Sequence, residues 1–369
     1  MIQTLLKGME SKLMLAVLLI FTIGMLMIAS ATNVPETGLN RQIVIQGVAF
    51  LLGLGLMFLV MCIDYNTFGD FYRIVYALSI VLLLLVYVPG LGIERGGAHS
   101  WINLGVIDFQ TSEMAKLGYI LFLGKYLERQ NGQLDSLKDL LMPLLLASPF
   151  LLLLLKQPDL GGVLVFASIT LGMVYVANIN SRLFYGGLGA ALLASPLAYF
   201  LMKPHQRIRI DAFLNPNDAS LPGNYQVMQS KITIGSGQLA GRGIFKGVFH
   251  RYDYLPVQES DFIYAVLGEE TGFIGGTVVI LLYFWFLSRI MYVATIARDL
   301  YGSLVVTGVA CMFAFQIIEN IGMTIGLMPV TGVTLPFMSY GGTSVITSLI
   351  AIGLVNNVYM RRRRSGFTV

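Results

Sequence analysis

Apolar runs long enough to cross a bilayer follow one another along this chain, separated by short polar connections and, once, by a long one. Ten can be drawn, at 13–31, 42–63, 72–89, 112–128, 139–155, 160–178, 183–202, 272–292, 303–326 and 340–360. A hydrocarbon core about 30 Å thick takes about 20 helical residues. The pattern therefore predicts an all-α polytopic membrane protein of about ten transmembrane helices, a single domain over residues 1–369. Its one long loop, about 203–261, falls between the seventh and eighth spans. Gly and Pro interrupt several runs, which bundled membrane helices tolerate because neighbours re-satisfy the backbone. The fourth run is the weakest, with Glu113 and Lys116 near its start and Lys125 and Glu128 near its end.

Composition removes the competing reading. Hydrophobic residues make up 56% of the chain and charged residues 12%, about half the charge of an average soluble domain. Mean hydropathy is +0.74, and with the near-continuous apolar runs it argues against a soluble helical bundle. The net charge of +4 bears on orientation, since no soluble basic face exists to bind nucleic acid. Cys62 and Cys311 lie in or at the end of apolar runs with no ligand-spaced neighbour, which predicts packing rather than zinc or a disulfide. His99, His205 and His250 form no cluster. The first run lacks a small-residue cleavage site and reads as a retained span.

Orientation follows from Lys and Arg in the short connections. One set of connections holds Lys7, Lys12, Arg73, Lys125, Arg129, Lys138, Arg182, Arg289, Arg298 and the run 361–364; the other short loops hold Arg41, Arg95 and Lys156. Both termini are thus expected inside, with the arginine run as an anchor at the anionic inner leaflet. The long loop is expected outside.

Candidate chemistry clusters in the outer segments. Thr111 or Ser112 is placed to cap the fourth helix, with Glu113 in its first turn. Glu113 and Lys116 stand three apart on one face. Charges this deep line a wet cavity or form a packing pair, and both readings stand. Lys156 and Asp159 bracket a Pro turn that suits an anion, a metal or a simple reversal of the chain. The run 234-IGSGQLAGRGIFKG-247 interleaves glycine with Arg242 and Lys246; this suits a phosphate-bearing ligand, although the P-loop spacing is absent and a flexible loop has the same composition.

Asp261 opens a helically spaced segment, 262–272, with Ser260 placed as its cap. Two turns on, Glu269 lies about 12 Å away, too far to pair with Asp261 across one glycosidic centre. A single-carboxylate mechanism fits a substrate whose leaving group needs no proton, such as a diphosphate. The competing reading is an acid that only satisfies a helix terminus. The stretch 320-NIGMTIGLMPVTGVTLPFMSYGGTS-344 sets irregular backbone at membrane depth and is expected to shape a groove.

With these residues in view, the chain resembles the SEDS family (shape, elongation, division and sporulation). The resemblance rests on 225-YQVMQSKITIGSGQLAGRG-243, Asp261-Phe262-Ile263 with Glu269-Glu270, the 320–344 segment, and shorter matches at 97–101, 109–113 and 157–161. It spans essentially every predicted helix. Thr111, Gln238 and Ser260 depart from the usual residues without removing a functional group. The GRGIFKG ending and short N-terminus look more like the RodA branch than the FtsW branch.

The resemblance implies a bacterial cytoplasmic-membrane peptidoglycan glycosyltransferase. It would polymerise lipid II on the outer face with inversion and release undecaprenyl diphosphate, for elongation and shape. It maps the catalytic carboxylate onto Asp261 and the polar cavity onto Glu113 and Lys116, with Asp159 and Ser339 in the substrate-binding set. Lys116, Arg207, Arg209, Arg242 and a divalent cation (Mg or Mn) are the expected partners of the diphosphate. Expected partners are lipid II, a class B penicillin-binding transpeptidase and elongation-machinery membrane proteins, and no nucleic acid. The alternatives are a lipid II flippase, a scaffold for other cell-wall proteins, or a division or sporulation paralogue with the same chemistry.

Overall fold

A computed structural model describes residues 8–33, 38, 40–95, 98–103, 105, 108–130, 135–202, 204–216, 218, 220–221, 223–248 and 255–362. Lys7, Lys203, His250, Arg363 and Arg364 lie outside them. A helix stands in each predicted run: α1 Ser11–Ala31, α2 Arg41–Cys62, α4 Tyr72–Leu84 after the short α3 Tyr65–Asp70, α5 Thr111–Arg129, α6 Leu137–Lys156, α7 Leu160–Val176, α8 Ser181–Leu201, α11 Ile263–Thr295, α12 Leu300–Ile325 and α13 Gly342–Met360. Six of these are long and apolar enough to cross a membrane.

Burial sorts the helices into centre and rim. In the most apolar stretches of α12 and α13, 72% and 78% of residues are buried, against 28% in α2 and α6. The rim helices turn leucines outward, including Leu51, Leu145 and Leu152, as lipid contact allows. Pro143 and Pro149 sit inside α6 and Pro196 inside α8.

One end of the bundle is closed by side-chain clamps. Glu10 caps α1 and pairs with Arg289 of α11, and Asp64 pairs with Arg361 at 3.0 Å. Asn357, fully buried in α13, donates to the carbonyls of Val60 and Ile63 at 2.6 Å each.

The other end carries structure that sequence pattern did not predict. A three-stranded antiparallel sheet, β1 Gly92–Arg95, β2 Ala98–Asn103 and β3 Asp108–Gln110, precedes α5. It pairs Trp101 with Gln110 and Ile102 with Phe109, and Thr343 Oγ1 ties it to α13 through the Asp108 carbonyl at 2.7 Å. The long loop is partly ordered as α9 Pro204–Leu214 and α10 Asn224–Ser236. Ser230 of α10 donates to the Thr324 carbonyl of α12 at 2.8 Å, fixing the loop to the bundle.

The eighth run also begins earlier than its apolar boundary. α11 starts at Ile263, and Gly272, with φ 67° and ψ −165°, kinks it where the polar segment meets the apolar one.

Candidate active site

Asp261 ends a tight turn. Its amide and that of Ser260 both donate to the Val257 carbonyl, at 3.1 and 3.3 Å. The helix cap is Phe262, not Ser260: the Ser260 hydroxyl turns to the Asp261 carboxylate instead and donates to Oδ1 at 3.0 Å. A second expected cap fails similarly. Thr111 and Ser112 lie inside α5, whose cap Gln110 makes no side-chain bond.

Around this turn wraps the irregular stretch between α12 and α13. Asn320 donates to the carbonyls of Asp261 at 2.9 Å and Val333 at 2.8 Å, joining turn and strap with one amide. Ser339, buried, donates to the Ser260 carbonyl and accepts from the Leu335 amide at 2.9 Å. The Tyr340 amide donates to the Glu259 carbonyl at 2.8 Å. Gln46 of α2 holds the strap from behind, donating to the Ser339 carbonyl at 2.9 Å and accepting from the Gly341 amide at 3.0 Å. Irregular backbone persists at this depth because protein covers it and satisfies it.

Gly332 completes the seat. Its φ of +77° is left-handed, and a Cβ there would stand 3.3 Å from Asp261 Oδ2. Among the described residues, the carboxylate accepts one hydrogen bond, from Ser260. Burial pushes its pKa above the usual carboxylate range; the Ser260 hydroxyl opposes this, Glu259 adds to it and the Arg209 charge opposes it.

A second polar cluster lies alongside. Lys116 Nζ and Glu113 Oε1 meet at 2.5 Å, with both residues buried. Asp159 caps α7, accepting from the Gly162 amide at 2.7 Å. Its carboxyl is raised by burial and lowered by that amide, by Lys116 and by Ser112, while Glu113 raises it, so the three predicted residues form one group. Gly161 connects this group to the Asp261 seat: a Cβ there would meet Val333 Cγ2 at 2.5 Å.

The predicted cations separate. Arg209 donates to the Thr331 carbonyl at 3.4 Å and is the one whose charge acts on Asp261. Arg207 reaches back to the Phe200 carbonyl at the end of α8 and sits over the Tyr199 ring. Arg242 donates to the Ser236 carbonyl at 3.3 Å and lies 3.9 Å from Glu269.

The glycine run is a joint rather than an anion cradle. The amides of Arg242 and Gly243 donate to the carbonyls of Glu269 and Glu270, and those of Phe245 and Val248 to the carboxylates of Glu270 and Glu269. Gly241 and Gly272 let the two backbones touch; a Cβ on Gly272 would lie 2.3 Å from the Gly241 nitrogen. Among the described residues no three His, Cys, Asp or Glu side chains gather as a metal cage, so the expected divalent cation has no dedicated protein ligand set there.

Sequence reasoning passed over Gln46 and Gly332. Gln46 carried a signal, a lone amide in an apolar run; Gly332 carried none beyond its place in a glycine-containing segment.

A family model described as cell cycle protein, FTSW_RODA_SPOVE, matches residues 11–364. Stage V sporulation protein E of Bacillus subtilis (strain 168) is 37% identical over 94% of this chain and 95% of its own length. A probable peptidoglycan glycosyltransferase FtsW of Trichlorobacter lovleyi is 34% identical over 94% and 92%. A solved structure described as the structural coordination of polymerization and crosslinking by a peptidoglycan synthase complex contains a chain similar to this one. It superposes with a TM-score of 0.82 at 34% identity, covering 96% of this chain and 99% of that one.

Proposed function

This chain belongs to the FtsW, RodA and SpoVE family, and from that premise we propose that it is a peptidoglycan glycosyltransferase that polymerises lipid II. The observation that carries the reading is one half-buried carboxylate, Asp261, seated by backbone bonds on a turn and covered by a glycine. Its raised pKa brings it closer to the operating pH of a general base.

In the proposed reaction, Asp261 takes the proton from the 4-hydroxyl of the acceptor GlcNAc. The oxygen attacks C1 of the donor MurNAc, and the C1–O bond to phosphate breaks. Undecaprenyl diphosphate leaves with the electron pair, and C1 inverts. Arg209, next to the base, is the cation placed to meet the developing charge. Glu113, Lys116 and Asp159 form the polar wall that orients the sugars. A Mg or Mn ion would enter on the substrate's own diphosphate. Orientation counting puts this chemistry on the outer face of the bacterial cytoplasmic membrane, with both termini inside.

The proposed partner is a class B penicillin-binding transpeptidase, in keeping with the polymerising and crosslinking complex that a similar chain joins. The glycine-run ending supports a role in elongation beside the other membrane proteins of that machinery. The 37% identity to a sporulation protein supports the sporulation role instead; rescue of strains depleted of each relative separates the two.

The deciding assay incubates purified protein with lipid II, alone and with the transpeptidase, and resolves the glycan products. Wild type is expected to make polymer and Asp261→Asn none. Absence of polymer from wild type in both arms, or undiminished polymer from Asp261→Asn, overturns the reading. A lipid II flippase could use the Glu113–Lys116–Asp159 group, but it has no need of Asp261 and would move lipid equally well in the Asn variant.

A further inference from the structure

A cavity of about 920 Å³ opens between α9, α10 and residues 326–330, at the upper end of the size range for small-molecule sites. Its walls are largely apolar, with Phe213, Val227, Ile232 and Met328 among them, and among the described residues they carry two cations, Arg209 and Lys231, and no acid. An apolar cavity with charge of one sign suits an amphiphile with an anionic head.

The walls are preformed. Asn224 donates to the carbonyls of Asn215 and Asp218, both at 2.8 Å, and stitches the α9–α10 connection. Ser230 pins α10 to α12.

Lys231 differs from the other cations near charged groups. Lys116, Lys125, Arg289 and Arg361 each meet a carboxylate. Lys231 meets none among the described residues and lies across Gly326, whose φ is +77°. A Cβ on Gly326 would stand 2.4 Å from the Lys231 ammonium, so the glycine makes room for the lysine as well as ending α12.

Arg209 sets the location. It lines the cavity and donates to the carbonyl of Thr331, the residue before the Gly332 that abuts the Asp261 carboxylate, so an anion held there lies near the proposed base. In the reaction above, the anion that must lie next to the reacting carbon is the leaving diphosphate.

We propose that this cavity holds the isoprenoid diphosphate end of the donor lipid, with Lys231 and Arg209 on the diphosphate and the apolar walls on the first isoprene units. The assignment rests on the polymerase reading for the donor's identity. The cavity's chemistry stands apart from it.

The test uses the full chain in detergent and measures equilibrium binding of geranylgeranyl diphosphate, geranylgeraniol and inorganic diphosphate. Wild type is expected to bind the isoprenoid diphosphate saturably, and to bind the alcohol and the inorganic ion at least about tenfold more weakly. Lys231→Gln should lose about tenfold and Lys231→Arg should retain binding. Ile232→Glu, at a partly exposed wall position, should weaken binding by setting an acid beside the lysine. Asp261→Asn should bind at least as well as wild type. Unchanged binding in Lys231→Gln, inorganic diphosphate competing as well as the isoprenoid, or no saturable binding by wild type overturns the assignment. Lysine-dependent binding without polymer formation defeats the polymerase reading and leaves the cavity; polymer formation without lysine-dependent binding does the reverse.

Discussion

Two acidic regions lie within ten residues of one another and use their carboxylates in opposite ways. At the glycine joint, Glu269 and Glu270 are buried and accept backbone N–H groups from the loop laid over them. At the Asp261 seat the direction reverses: Asn320, Ser339 and Gly332 hold the backbone so that the carboxylate itself is left one hydroxyl partner among the described residues. A carboxylate tied to the backbone of a neighbouring loop is held in place; one raised by burial and lightly bonded can exchange a proton. Acids that look alike in sequence are thus set apart by what their neighbours donate, which supports Asp261 as the proposed base.

The largest test of this contrast is Asp261→Asn. Polymer formation should fall by about a thousandfold, as for loss of a general base, while the melting temperature should not fall. Because the folded carboxyl holds its proton more tightly than the unfolded one, its contribution to stability is greatest below the unfolded pKa. That contribution declines as pH rises through the folded pKa. At neutral pH a neutral Asn therefore removes a cost. Glu270→Ala should do the opposite, lowering stability by about 3 kcal/mol as Phe245 N–H and the Ser30 hydroxyl lose an acceptor. The melting temperature should drop, and any lost activity should track the unfolded fraction.

Gly332→Ala should cost about tenfold in polymerisation rate, and about 1 kcal/mol in stability from the left-handed backbone. A rate equal to wild type would show that the glycine serves the strap and not the carboxylate. The smallest effect is on pH dependence. The base must be ionised, so activity should fall on acidification. Removing the neighbouring charge in Glu259→Gln should move that acid limb to lower pH, and Arg209→Gln should move it to higher pH. Coincident limbs in all three proteins would mean that a different group is titrating.

What the sequence made legible was local. Each apolar run contains a helix, the Glu113–Lys116 spacing gives an ion pair, and the spacing after Asp261 gives a helix. What it hid depends on partners far along the chain. Ser260 looked like a cap by position, but its hydroxyl has a nearer acceptor in the Asp261 carboxylate. Gln46 finds its partners 293 and 295 residues away, and no periodic pattern encodes such a pairing. The composition of the glycine run suits a ligand cradle or a flexible loop, because glycine permits close approach, and pattern alone cannot say that the approaching group is another backbone. The sheet at 92–110 consists of strands of six residues or fewer, too short to impose an alternation of their own.

The Glu113–Lys116 pair also has a consequence for biogenesis. A lone charge at the centre of an inserting helix costs about 2.5–3.5 kcal/mol; α5 keeps both of these charges in its first two turns, and Asp159 caps a helix that is synthesised later. The two charges neutralise each other within α5, and the helices α7 and α12 that pack on it are made only afterwards.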